Sequence, residues 1–80
     1  MFFVYVLKSL HHDFYYKGHC ENLNDRLLQH NSGITKSISP YIPFMVAYFE
    51  EFTTREEAIN REKYFKSAAG RRFLKKQLGS

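Results

Sequence analysis

Phe2-Phe3-Val4-Tyr5-Val6-Leu7-Lys8, then the step His11-His12-Asp13, then Phe14-Tyr15-Tyr16-Lys17-Gly18-His19: this stretch decides the fold. The first run is aromatic and β-branched with no breaker, the composition of a buried strand. The histidine–aspartate step makes a turn, and residues 14–19 read as a second strand, so the two form a hairpin. Gly18, near the end of the second run, predicts a β-bulge or a close backbone approach.

Working outward, Asn22 has the character of a helix N-cap, with Asp25 in the first turn favoured by the positive helix start. Leu23, Leu27 and Leu28 supply an apolar stripe, and Asn31-Ser32-Gly33 ends the helix at about residue 31. Residues 32–43 hold Gly33, three serines, Pro40 and Pro43, and read as a loop. Residues 44–51 form a third strand. Thr54-Arg55-Glu56-Glu57 is a capping box that opens a second helix over roughly 54–67. Ala68-Ala69-Gly70 breaks or redirects it, and residues 71–78 make a short basic third helix. The order strand, strand, helix, strand, helix, helix is an α+β pattern with a small, mainly antiparallel sheet.

With 80 residues the chain has room for one core, so residues 1–80 read as a single domain. Eight Phe and six Tyr compensate for the short length, because each ring buries a large area. Cys20 is the single cysteine and has no disulfide partner in the chain. The apolar run at residues 2–7 is too short for a signal peptide or a membrane span. These features predict a soluble cytoplasmic protein with no membrane partner; the oligomeric state stays open.

Net charge is +4, and its placement is uneven. Residues 53–80 carry eight Lys and Arg against three Glu, whereas residues 1–52 carry four basic and five acidic side chains. The positive excess therefore lies in the C-terminal third, which suits contact with phosphate backbones. A solvated helical face is the ordinary alternative.

Three groups of residues carry possible chemistry. Glu62 shares a helical stripe with Ala58, Phe65 and Ala69, where a carboxylate is costly unless paired or metal-bound. At the edge of a core it could hold one Mg²⁺, with waters and substrate oxygens completing the shell. The alternative is a boundary glutamate paired with Lys66. Arg26 and His30 are an i, i+4 pair on the side shared by Leu23 and Leu27. Arg26 has the planar fork that clamps a phosphoryl oxygen, and His30 exchanges a proton near neutral pH. A surface arginine and a helix-end histidine are the alternative. Tyr5 and Tyr16 lie on adjacent strands, either as core tyrosines with satisfied hydroxyls or with those hydroxyls converging on a cleft. His11, His12 and His19 fit no zinc spacing and read as turn and strand-end residues. Cys20 reads as structural. No glycine loop cradles phosphates, which argues against a nucleotide cofactor.

Together these residues resemble the GIY-YIG nuclease superfamily, in particular its small stand-alone members of the UPF0213 type, from Phe3 to about Leu78. Phe3-Val4-Tyr5 stands where the family has Gly-Ile-Tyr, and Tyr16-Lys17-Gly18 where it has Tyr-Ile-Gly. Asn22-Leu23, Arg26-Leu27 and His30-Asn31 are similar to the family's first helix. Ala58 to Lys66 is similar to the segment bearing its metal-binding glutamate, which falls on Glu62. The resemblance implies a three-stranded antiparallel sheet flanked by about three helices, and hydrolysis of nucleic-acid phosphodiesters with one divalent ion, Mg²⁺ or Mn²⁺. It implies that Tyr5 deprotonates the attacking water, His30 relays the proton and Arg26 stabilises the scissile phosphate. Tyr16 would position the phosphate or water, and Glu62 would hold the metal. Phe3 and Lys17 depart from the motifs. A late asparagine found in many members, about twelve residues past the glutamate, is Leu74 here, with Gln77 as the nearest substitute amide.

The reading that follows is a metal-dependent endonuclease acting on DNA, in repair or in processing of branched or damaged DNA. Lys17, Lys63, Lys66, Arg71, Arg72, Lys75 and Lys76 are its expected nucleic-acid contacts. A non-catalytic nucleic-acid-binding module with the same fold is the alternative. A self-associating interaction domain is a blander third.

Overall fold

The computed structural model describes residues 1–79. Three strands, β1 (Phe2–Ser9), β2 (Tyr15–Cys20) and β3 (Phe44–Phe52), form one antiparallel sheet in the order β2-β1-β3. The helices are α1 (Leu23–Asn31), α2 (Arg55–Phe65) and α3 (Ala68–Leu78), with a 3-10 helix at Lys36–Tyr41. The architecture is α+β, as the sequence pattern predicts.

β1 is central, which explains its uninterrupted apolar run: helices cover both of its faces. Tyr5 and Leu7 point to one side and pack with Cys20, Ile38 and Phe44, against Leu23 and Leu27 of α1. Val4 and Val6 point to the other and pack with Phe65 of α2 and Leu74 of α3. This alternation follows from the two-residue repeat of a strand.

Asn22 and Thr54 cap α1 and α2 as the sequence indicates, the latter through a complete capping box. Other expectations are corrected. The third helix starts at Ala68, because Ser67 caps it by accepting from the Gly70 N–H; Ala68-Ala69-Gly70 is its first turn, not a break. Ala69 is accordingly exposed and off the α2 stripe. Leu28 is also exposed, so the α1 stripe is Leu23 and Leu27. The segment read as loop contains the 3-10 helix, anchored by buried Ile38. The sheet's register shift is not at Gly18: Val6 pairs with Tyr48 and Leu7 with Val46, which leaves Ala47 as the extra residue on β3.

Arg61 ties α2 to the sheet and to α3. Its guanidinium lies 4.8, 5.0 and 4.9 Å from the ring centroids of Tyr64, Phe65 and Phe73. It also forks onto Glu50 of β3, at 2.7 Å from Nε and 3.2 Å from a terminal nitrogen. Tyr48 donates to the same carboxylate. Burial alone would raise the Glu50 carboxyl, but the hydrogen bonds from Arg61 and Tyr48 outweigh it and hold it below the usual range. Burial and that carboxylate push the Tyr48 phenol up to about 12.

A pH-dependent contribution to stability follows. Above the ordinary carboxylate range Glu50 is ionised in both states, and its pairing stabilises only the folded one. That stabilisation is lost as pH falls through the depressed folded value. Arg61→Met keeps much of the volume but leaves the carboxylate unpaired, at an expected loss of about 3 kcal/mol near neutral pH. Urea unfolding should show the loss shrinking as pH falls through the depressed Glu50 value. An equal loss at neutral and at acid pH would mean that Arg61 acts only through the rings.

Candidate active site

Tyr5, at the middle of β1, pairs directly with Gly18 of β2. A Cβ at position 18 would lie 2.5 Å from the Tyr5 hydroxyl and 2.7 Å from its Cζ. The glycine is therefore a close approach, the second of its two expected meanings: it lets the Tyr5 ring lie across the neighbouring strand. Tyr5 is 1% exposed.

The Tyr5 hydroxyl reaches Nε2 of His30 at 3.0 Å, and Nδ1 of His30 meets the Thr35 hydroxyl at 2.9 Å. His30 is the buried residue of α1, 4% exposed. Burial, then the charge of Arg26, lowers its pKa, so the imidazole is neutral at pH 7. A neutral ring has one N–H and one lone pair. Both neutral tautomers satisfy the two contacts, because each hydroxyl can donate or accept; in the one with Nδ1–H donating to Thr35, Nε2 accepts from Tyr5 and is free to take its proton. Burial foremost, then neighbouring Tyr16, pushes the Tyr5 phenol well above its ordinary value, so it stays protonated at neutral pH. Tyr16 completes this group, its ring edge-on to His30 with centroids 5.0 Å apart.

Arg26 stands one turn before His30 and is half-buried. Its charge acts on Tyr5, Cys20 and His30 alike, in each case favouring the less protonated form. Arg26 and His19 line the same polar cleft of about 350 Å³, which also borders Gln29 and Arg55.

Glu62 reaches the site from the opposite layer. Its Oε1 accepts from Nδ1 of His19 at 2.6 Å and its Oε2 from Lys66 at 2.8 Å. The Glu62 side chain is 18% exposed and that of Lys66 55%. Burial would raise the Glu62 carboxyl, but the bonds from Lys66 and His19 prevail and lower it, so the group is ionised near neutrality. Its charge also bears on the Tyr5 phenol. The Lys66 pairing weighed from sequence is thus present, with a histidine added. Among the described residues, no hydrogen bond links Glu62 directly to Tyr5, Tyr16, Arg26 or His30.

Does this carboxylate suit a divalent ion? Among the described residues no group of three or more His, Cys, Asp or Glu side chains forms a cage. A hard, ionised carboxylate held by His19 on one oxygen and by an exposed, displaceable Lys66 ammonium on the other nevertheless fits an ion that takes most of its shell from water and phosphate oxygens, as Mg²⁺ does. The residues fit that kind of site.

Two contributors escaped the sequence reading. His19, read there as a strand-end residue, faces the α2 layer because it pairs with Val4; strand alternation carried that signal. Thr35 follows Gly33, whose φ of 85° turns the chain back after α1; no local pattern marks its return to His30. Leu74, at the expected asparagine position, is core. Gln77 is exposed and, among the described residues, makes no hydrogen bond into the site. Of the basic residues, Lys17, Arg71 and Lys75 line one groove, Lys66 is on Glu62, and Lys63, Arg72 and Lys76 are exposed elsewhere.

Known proteins resemble most of the chain. The family described as GIY-YIG catalytic domain matches residues 1–76. UPF0213 protein lwe0147 of Listeria welshimeri is 40% identical over 65 residues, covering 80% of this chain and 71% of that protein. UPF0213 protein lin0209 of Listeria innocua matches with the same identity and coverage. No solved structure matches significantly.

Proposed function

The chain belongs to the GIY-YIG catalytic-domain family, a nuclease-type superfamily, and from that premise we propose a metal-dependent endonuclease that hydrolyses DNA phosphodiester bonds. The observation that carries this reading is the Tyr5–His30–Thr35 chain of hydrogen bonds, buried and adjoined by Arg26. A protonated phenol bonded to a neutral imidazole can take a proton on one side while releasing one on the other. As Tyr5 accepts a proton from the attacking water, its own passes to Nε2 of His30, so no free phenolate need form beforehand. Thr35 holds the ring for that transfer. Arg26 binds the non-bridging oxygens of the scissile phosphate and stabilises their added charge. Tyr16 positions the phosphate or the water. Glu62 would hold Mg²⁺ or Mn²⁺ in place of the Lys66 ammonium, and such an ion supplies charge neutralisation at the leaving oxygen.

A cleavage assay with Mg²⁺ or Mn²⁺ on single-stranded, duplex, flap and junction DNAs tests the reading. Glu62→Ala should lower cleavage at least about 100-fold with its thermal unfolding little changed, since the removed carboxylate lies at the edge of the core. Cleavage by Glu62→Ala at the wild-type rate would remove Glu62 from the mechanism.

A nucleic-acid-binding module is the second reading. Leu74 at the asparagine position, and the engagement of both Glu62 oxygens by protein groups, favour it. No cleavage by wild type, with retained salt-sensitive binding, would select it.

A further inference from the structure

Beside the candidate active site, β2 and α3 face each other across a groove of about 330 Å³. From β2 come Tyr15 and Lys17, neighbours on one face of the strand, with Asp13 just before them. From α3 come Arg71, Leu74, Lys75 and Leu78, spaced i, i+3, i+4 and i+7 and so forming one stripe. The floor is apolar and partly aromatic; the rim is basic.

We propose that this groove binds one unpaired nucleotide next to the scissile phosphate, its base against Tyr15, Leu74 and Leu78 and its phosphate on Lys17 and Arg71. The assignment rests on the nuclease reading above and adds a substrate feature to it.

Charge argues for an anion. Among the described residues, no carboxylate forms an ion pair with Lys17, Arg71 or Lys75. Lys17 is also partly buried beside Arg71 and Lys66; burial first, then those two charges, pulls its amine down. Such crowding without a counter-charge is relieved by a bound phosphate. Asp13, the one carboxylate lining the groove, repels phosphate and can accept from the amino edge of a base.

The floor argues for a base rather than a bare phosphate, since a tyrosine ring and two leucines offer stacking and apolar contact. Stacking on such a floor needs an open base face, which an unpaired base offers and a base inside a duplex does not.

Position argues for adjacency to the reaction. Lys17 and His19 are same-face neighbours on β2, about 7 Å apart by strand geometry. His19 holds Glu62, and Lys66, also on Glu62, presses its charge on Lys17. One strand step therefore separates the groove from the carboxylate. Leu74, which departs from the family asparagine, becomes part of the floor.

The test uses the full chain carrying Glu62→Ala, so that binding is read without turnover. Duplex DNA is prepared blunt or with a three-nucleotide overhang bearing 2-aminopurine at the first unpaired position. Anisotropy gives affinity and 2-aminopurine emission reports stacking. The overhang should bind about tenfold tighter than the blunt duplex, with quenched emission. Adding Lys17→Ala and Arg71→Ala should bring the ratio near unity, and Tyr15→Leu should relieve the quenching, each variant checked for folding by thermal unfolding. An unchanged ratio in the Lys17–Arg71 double variant, or emission insensitive to Tyr15, overturns the proposal. Overhang preference persisting when wild type shows no cleavage would refute the nuclease reading and leave this subsite standing. Cleavage without overhang preference would do the reverse.

Discussion

Tyr5→Phe should slow DNA cleavage by about 10²–10⁴-fold while costing about 1 kcal/mol of stability. The substitution removes one oxygen atom from a buried ring and keeps the packing of β1. What it deletes is the hydroxyl 3.0 Å from Nε2 of His30, through which the water's proton would pass. Gly18→Ala should give a similar loss by displacement, because the new methyl would meet that hydroxyl at 2.5 Å. The pH profile supplies a separate check. His30 accepts the proton only when neutral, and burial lowers its pKa, so wild-type kcat/KM should hold at pH 7 and fall along an acid limb centred below about 6.5. A limb centred above that value, or a Tyr5→Phe enzyme with wild-type rates, would rule out the proposed relay.

The second large effect concerns the fold. Gly70→Ala should destabilise the protein by about 3–5 kcal/mol, although alanine in a helix interior ordinarily gains about 1 kcal/mol over glycine. Two effects oppose here, and the geometry decides between them. A Cβ at position 70 would stand 1.8 Å from the Tyr64 carbonyl oxygen, 2.5 Å from its carbon and 2.7 Å from the Phe65 Cα. All three are backbone atoms, and the carbonyl is held further by the Ser67 N–H at 3.0 Å and its hydroxyl at 2.6 Å. α3 must therefore move off α2, opening the stack of Phe65 on Phe73 and exposing Leu74. For a domain of this size such a loss lowers Tm by at least about 12 °C. A neutral or raised Tm would show that the two helices do not cross this closely.

Both results bear on what can be read from residues alone. Strand and helix positions were largely legible, because each has a local cause. β1 announces itself by an unbroken aromatic and β-branched run, and α2 by the Thr54–Glu57 box. The starting point of α3 is not legible, because alanine and glycine after Ser67 look like a break unless the Ser67 cap and the helix crossing are known. Nor is the exposure of Leu28, since a nine-residue helix has too few turns for its pattern to fix the width of the stripe.

For the candidate site, the sequence by itself determined the residue types, their order and the family, because motif spacing along β1, β2, α1 and α2 is a property of the chain. It also determined that the positive charge lies in the C-terminal third. Tertiary structure alone decided which groups touch. It set Tyr5 against His30, brought Thr35 back behind the ring, gave Glu62 to His19, and put Lys17 and Arg71 on one groove. The physical reason is separation: these groups lie up to 54 positions apart in number. Local propensity acts over a few residues, whereas burial, hydrogen bonding and charge act through space once the sheet and helices have closed.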